Sequence, residues 1–145
     1  MKIETTRFGQ VEIEAGDILR FPSGVIGLEN CRDWVLLADA QNQALGWLQC
    51  TTHPEVALAV VSPRRFVPDF QLRVARSELS TLELPAVRDA KVLVIVGKNE
   101  HSITLNLKAP LVVNLQQRVG RQVVASGEQP VQYELHTTQP LRKIA

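Results

Sequence analysis

Residues 103–114 read ITLNLKAPLVVN, and the reading of this stretch decides the fold. Its first half alternates, with Ile103, Leu105 and Leu107 set against Thr104, Asn106 and Lys108. That is the period of two of a strand with one buried face. Pro110 then interrupts the run, and Leu111, Val112 and Val113 resume it with apolar side chains on both faces. Proline has no N–H to give to a ladder, so the stretch predicts two strands with an edge, bulge or corner between them. Asn106 and Asn114 flank the break, where side-chain amides can satisfy the backbone groups it frees.

Working outward, strand signals recur along most of the chain, punctuated by Gly, Pro, Asn and Asp. Residues 2–7 and 10–14 read as a hairpin across Phe8 and Gly9, with Val11 and Ile13 facing inward. Residues 17–21 end at Pro22, 34–38 read as a buried strand, and 45–51 as its partner. Residues 56–61 and 91–96 are apolar on both faces, as strands covered above and below must be. Residues 70–76 (FQLRVAR) alternate as a strand with one wet face, and 122–125 and 132–136 complete the series. Helical signal is confined to 77–84, with Ser77 as N-cap and Pro85 as terminator. About ten short strands with at most one or two helical turns predict an all-β fold, a compact antiparallel β-barrel-like single domain. The domain is expected to span 1–135, with 136–145 as a flexible tail.

With 145 residues, the chain is long enough to bury a core without disulfides or metals. Hydrophobic residues make up 45% and aromatics only 5%, so Val and Leu must carry that core. Sixteen Lys and Arg against 15 Asp and Glu give a net charge of +1, which denies the broad cationic footprint that phosphate binding needs. The N-terminus has no secretory signal pattern and no apolar run is long enough to span a bilayer, so a cytoplasmic location is expected. In that reducing setting Cys31 and Cys50 read as buried free thiols rather than a disulfide.

No chemistry assembles from the motifs. His53, His101 and His136 are far apart, and none is spaced with a thiol or carboxylate as a metal-ligand set. No nucleophile elbow and no phosphate loop occurs, and Glu12 and Glu14 share the outer face of one strand. No enzyme activity, metal or cofactor is therefore expected. Arg64, Arg65, Arg73 and Arg76 flank Phe66 and Phe70, the mixture of cation and aromatic that a direct RNA-binding barrel would use. Phe70, however, lies on the apolar side of its alternating stretch.

The order of motifs resembles the flagellar assembly factor FliW family over about residues 3–135. Phe21-Pro22-Ser23-Gly24-Val25-Ile26-Gly27-Leu28-Glu29 is similar to the family's Phe-Pro and Gly-rich loop, and Leu48-Gln49-Cys50 to its central Leu-Gln-Ser. Pro63, Phe66, Pro68, Asp69 and Phe70 resemble its Pro-Asp-Tyr stretch. Thr104, Asn106, Leu107, Ala109, Pro110 and Asn114, followed by Gly120-Arg121-Gln122-Val123, match its last signature. The resemblance implies a β-barrel-like, non-enzymatic factor with two partners. One is the translational regulator CsrA, a small RNA-binding protein that it antagonises. The other is flagellin, so that flagellin synthesis follows its cytoplasmic level. No direct nucleic-acid contact and no membrane contact are expected. Candidate partner-binding residues are Val25, Ile26, Leu28 and Glu29, in a loop that either tucks its apolar side chains under or offers them, and Thr104, Asn106 and Lys108, on the outward face of the opening strand. An edge freed at Pro110 could also accept an added strand.

Overall fold

The computed structural model describes residues 1–135, and the tail expected at 136–145 lies outside them. The order of elements is β1 (Lys2–Thr5), β2 (Gly9–Glu12), β3 (Ile18–Arg20), β4 (Asp33–Ala38), β5 (Gly46–Cys50), β6 (Ala57–Val61), α1 (Arg76–Leu79), β7 (Lys91–Lys98), β8 (Ile103–Leu105), β9 (Leu111–Asn114), β10 (Val119–Gln122) and β11 (Tyr133–Glu134). Strands β3 to β7 pair in chain order, β7 pairs again with β9, and β10 joins β9 back to β3, closing a ring of seven strands. The ladders are antiparallel except at β3–β10, where Val119 lies beside Arg20 in parallel. The β1–β2 hairpin forms a separate two-stranded sheet.

Closure explains why several strands are apolar on both faces. One parity of β4 to β9 points into the barrel, bringing Trp34, Leu48, Cys50, Val60, Leu93, Leu111 and Val113 together with Leu19 and Phe21. The opposite parity faces out but is not wet. Trp47, Ala59, Val61 and Val94 pack beneath Phe70, Leu105 and Leu107. Ile3 and Ile13 of the N-terminal hairpin cover Val35, and Leu82 covers Val112 and Val123. Most side chains of the central strands thus find apolar contact on their own side of the sheet, with Leu36 an exposed exception.

The corner read from 103–114 is the point on which closure depends. β8 pairs with the end of β7, Lys98 opposite Ile103 through Val96 opposite Leu105. β9 pairs with its beginning, Leu93 opposite Leu111 through Lys91 opposite Val113. Both strands therefore use the same edge of β7, and residues 106–110 bulge out opposite Val94 and Ile95. The Asn106 side-chain oxygen accepts from the amides of Lys108 (3.1 Å) and Ala109 (3.0 Å), which folds the bulge on itself. Asn114 holds the far end, accepting from Gln116 (3.1 Å) and Gln117 (3.2 Å) and donating to Leu82 O (2.8 Å). Both amides do the structural work expected of them.

Three local expectations are corrected. Residues 70–75 alternate in burial but join no ladder; they form an extended strap whose Leu72 and Val74 pack on the core, while Ser126 N donates to Arg73 O (2.6 Å). Alternation there records burial, not strand pairing. The helix expected at 77–84 is one turn, Arg76–Leu79, with Ala75 rather than Ser77 at the N-cap, and it continues as a 3-10 turn over Ser80–Leu82. Glu83, in the left-handed region at φ 53°, ends it, and too short a run cannot sustain a longer helix. The strand expected at 122–125 lies earlier, at Val119–Gln122, because 123–125 instead runs along the corner, with Val123 N on Pro110 O (2.9 Å) and Ala125 N on Lys108 O (2.8 Å).

Gly120 sits where β10 passes the fully buried Phe21. A Cβ built on Gly120 would lie 2.6 Å from the tip of that ring. Gly120→Ala is therefore expected to destabilise the fold by about 1–3 kcal/mol through overpacking. Urea denaturation should show a lower midpoint at unchanged slope; an unchanged midpoint would mean that the ring has room to retreat.

Candidate partner-binding surface

The loop between β3 and β4 is built from its buried ends inward. Phe21 anchors its start, and Gly24 N donates to Phe21 O (2.8 Å). Gly24 has φ +74°, and a Cβ there would lie 3.0 Å from the Glu29 backbone, so the two arms of the loop touch. At the tip, Leu28 N donates to Val25 O (2.8 Å), and Gly27, with φ +83°, occupies the turn position that demands a positive φ. Glu29 folds back so that its carboxylate accepts from Gly27 N (3.0 Å). The alternative between tucking and offering resolves residue by residue. Val25 is buried in the core, Leu28 is half-buried against it, Glu29 is exposed, and Ile26 stands 64% exposed at the apex.

That apex is tied to the rest of the barrel by a residue the sequence did not single out as a site. Gln122, the last residue of β10, accepts from Ile26 N (2.7 Å) and donates to Ala109 O (3.1 Å). One side-chain amide thus joins the loop to the Pro110 corner. The only advance sign was its place in the Gly-Arg-Gln-Val run that follows the corner.

The second candidate face is less open than its alternation implies. Thr104 is buried at 4% exposure, flanked in the sheet by Gly97 of β7 and Glu134 of β11. The Asn106 oxygen is spent on the bulge, and the Lys108 ammonium donates to Ala125 O (2.9 Å) and Gly127 O (2.8 Å). The edge at Pro110 is occupied as well: segment 123–125 bonds to it, and Leu107 N donates to Pro130 O (3.0 Å). Addition of a foreign strand at that edge would have to displace these bonds.

The arginine cluster lacks its aromatic platform. Phe70 is buried, Phe66 is half-buried in the same cluster, and Arg64 Nε donates to Phe70 O (3.0 Å). Among the described residues, a cation meets an aromatic closely at Trp47, with the Arg7 guanidinium 3.9 Å from its ring centroid and Phe8 edge-on at 6.1 Å. His101 lies exposed in the β7–β8 turn, and His136 is outside the described residues.

His53 departs from expectation. It stands beside both cysteines, with Nδ1 3.5 Å from Cys31 Sγ and 3.6 Å from Cys50 Sγ. Both thiols are free and buried, as expected. Burial, reinforced by Cys50, pushes the Cys31 thiol up to about 12. Burial would also raise Cys50, but the hydroxyl and amide of Thr52, with Cys31 and His53, outweigh it and hold Cys50 below its ordinary value. The signal available in the sequence was Cys50-Thr51-Thr52-His53, a ligand pair across a tight turn; Cys31 is joined to it only by the pairing of β4 with β5.

The structure is a closed β-barrel whose outer face is covered by straps and whose β3–β4 loop holds Ile26 exposed at its tip. The family model described as "FliW protein" matches residues 2–137, and the chain belongs to that family. The flagellar assembly factor FliW of Bdellovibrio bacteriovorus is 36% identical over 126 residues, covering 86% of this chain and 72% of that protein. That of Natranaerobius thermophilus is 31% identical, covering 86% and 84%. A crystal structure of the flagellar assembly factor FliW superposes with a TM-score of 0.86 at 26% identity, over 96% of this chain and 99% of that one. The family is named for flagellar assembly and not for a reaction. Among the described residues no helix is long and apolar enough to cross a membrane.

Gln122→Leu keeps the size of the side chain and leaves Ile26 N and Ala109 O without their partner. A loss of about 0.5–1.5 kcal/mol is expected, because the Ile26 amide can turn to water once its partner is gone. Hydrogen exchange at the Ile26 amide should accelerate more than at the β5 amides. Equal acceleration everywhere would show only a global loss of stability.

Proposed function

We propose that this chain is a non-enzymatic flagellar assembly factor of the cytoplasm that binds a CsrA-type translational regulator and flagellin in alternation. Flagellin that accumulates unsecreted would occupy the factor and release the regulator, lowering further flagellin synthesis. Membership of the FliW family over nearly the whole chain supports this reading. The further support is local: Ile26 is a large apolar side chain held out at 64% exposure on a loop braced by backbone and side-chain hydrogen bonds. A large exposed apolar side chain on a loop with a fixed backbone supplies apolar area that a partner can bury.

The partner surface is placed around the loop tip, with Ile26 as anchor, Leu28 as its half-buried support and Glu29 at the rim. Val25 contributes by holding the tip down. Asn106 and Lys108 act from behind, by fixing the corner to which Gln122 ties the loop, and Thr104 is buried within β8. If one partner changes the affinity for the other, the change must be reciprocal.

The experiment is a binding competition among the purified chain, the CsrA-type regulator and flagellin of the same organism. Each partner should bind alone, and flagellin should displace the regulator. Ile26→Asp should weaken at least one complex by about tenfold or more, the scale of a lost interface anchor, while leaving the unfolding midpoint unchanged. Failure to bind either protein would sink the reading, and tight binding of the chain alone to flagellin leader RNA would replace it with direct RNA recognition.

A further inference from the structure

We propose that Cys31, Cys50 and His53 form a binding site for one Zn2+ ion, with a fourth coordination position open to the adjoining surface cavity. The three donor atoms lie within 4.8 Å of one another. Both sulfur-to-nitrogen separations are short, 3.5 Å from Cys31 Sγ and 3.6 Å from Cys50 Sγ to His53 Nδ1. A tetrahedral zinc with bonds of about 2.3 Å to sulfur and about 2.0 Å to nitrogen sets that edge at about 3.5 Å. Both sulfur-to-nitrogen edges of the donor triangle thus already stand at the spacing the ion requires, and the third lies within 4.8 Å.

The alternative account of these contacts, simple hydrogen bonding, is crowded. His53 Nδ1 has both thiols and the Thr52 hydroxyl (3.0 Å) around it, three polar neighbours for one lone pair or one proton. A cation at the centre of the triangle would give each sulfur and the nitrogen the same partner. Two thiolates and an imidazole are a borderline-soft set that favours zinc over magnesium or calcium, and three protein ligands are the number in open zinc sites. Two thiol protons leave to solvent as the ion binds, so charge and atoms balance.

The scaffold beneath the site is stiff. Gln49, fully buried, donates through Nε2 to Cys50 O (3.0 Å), Pro54 O (3.3 Å) and Val56 O (3.1 Å), gathering the turn that carries Cys50 and His53. Cys50 N donates to Val56 O and Val56 N to His53 O, each at 3.0 Å. On the other side Cys31 N donates to Leu28 O (3.0 Å), and Trp34 Nε1 donates to Cys31 O (3.0 Å). Entry is provided by a cavity of about 210 Å3 lined by Leu28, Glu29, Asn30, Cys31 and His53, among others. Cys31 closes the same loop that carries Ile26, so the ion would clamp the end of that loop to the β5–β6 turn.

The test uses the full chain, purified with its thiols reduced, stripped with a chelator and reloaded with Zn2+ or Co2+ alone. One equivalent of Zn2+ should bind with sub-micromolar affinity and raise Tm by about 5–10 °C at saturating metal. Co2+ should give thiolate-to-cobalt charge transfer and the intense visible bands of a tetrahedral site. Cys31→Ser and Cys50→Ser should each weaken binding by about a hundredfold or more. His53→Gln, at a half-exposed position that the core does not need, should weaken it by about tenfold or more and shift the cobalt bands. Affinity weaker than micromolar in the wild-type chain overturns the proposal. So does a His53→Gln variant that binds as the wild type does with an unchanged circular dichroism spectrum, or a Cys31–Cys50 disulfide that forms equally fast with and without Zn2+.

Discussion

The edge of β7 that faces away from β6 must be paired along its whole length, and no single neighbour does it. β9 takes one end and β8 the other, and the chain between them has to lose contact and regain it in the right register. Everything downstream depends on that transfer. β9 leads into β10, β10 meets β3 at one parallel point, and only then is the ring closed. Pro110 suits the corner because no ladder donor is wanted there, and Asn106 suits it because its oxygen replaces the lost acceptor for two amides. The proline is buried, inside a seam that segment 123–125 covers.

The same economy governs the other buried amides. Asn114 ends β9 and at the same time donates its side-chain amide N–H to the carbonyls of Leu82 and Glu83 at the end of the 3-10 turn, joining the outer cover to the barrel. Gln49 points its amide at three carbonyls of a single turn. In each case one planar side chain with two donor hydrogens does what a longer ladder would otherwise do, which lets short strands carry sharp turns. A barrel of strands three to eight residues long is possible because its corners are fastened from inside.

The sequence carried the strand series well, because alternation and double-sided apolar runs are direct records of burial. It misjudged 70–75 for the same reason: Phe70, Leu72 and Val74 alternate as a strand does, yet their periodicity comes from lying across a core, not from hydrogen bonding to a neighbour. The loop 23–30 was legible as apolar and bent, but which of Val25, Ile26 and Leu28 pointed out depended on the turn at Gly27, and that turn on contacts with Glu29. Thr104 was read as outward because period-two logic assumes one dry face; in the structure it is buried between Gly97 and Glu134 on the two neighbouring strands. Gln122 and the grouping of Cys31 with His53 were out of reach of pattern reading, since each depends on strands far apart in the chain becoming neighbours.

The hydrogen bond from Ile26 to Gln122 has a consequence for how quickly a partner could be captured. A loop that samples many shapes meets its partner mostly in the wrong one, and the complex forms only at the rate at which the right shape appears. Here the apex is fixed by the Gln122 amide, itself fixed to Ala109, so the shape that a partner meets is the folded one. The cost of ordering the backbone at the apex is met when the barrel closes, not on encounter. A partner that docked there, as proposed, would meet one backbone shape rather than select it from many.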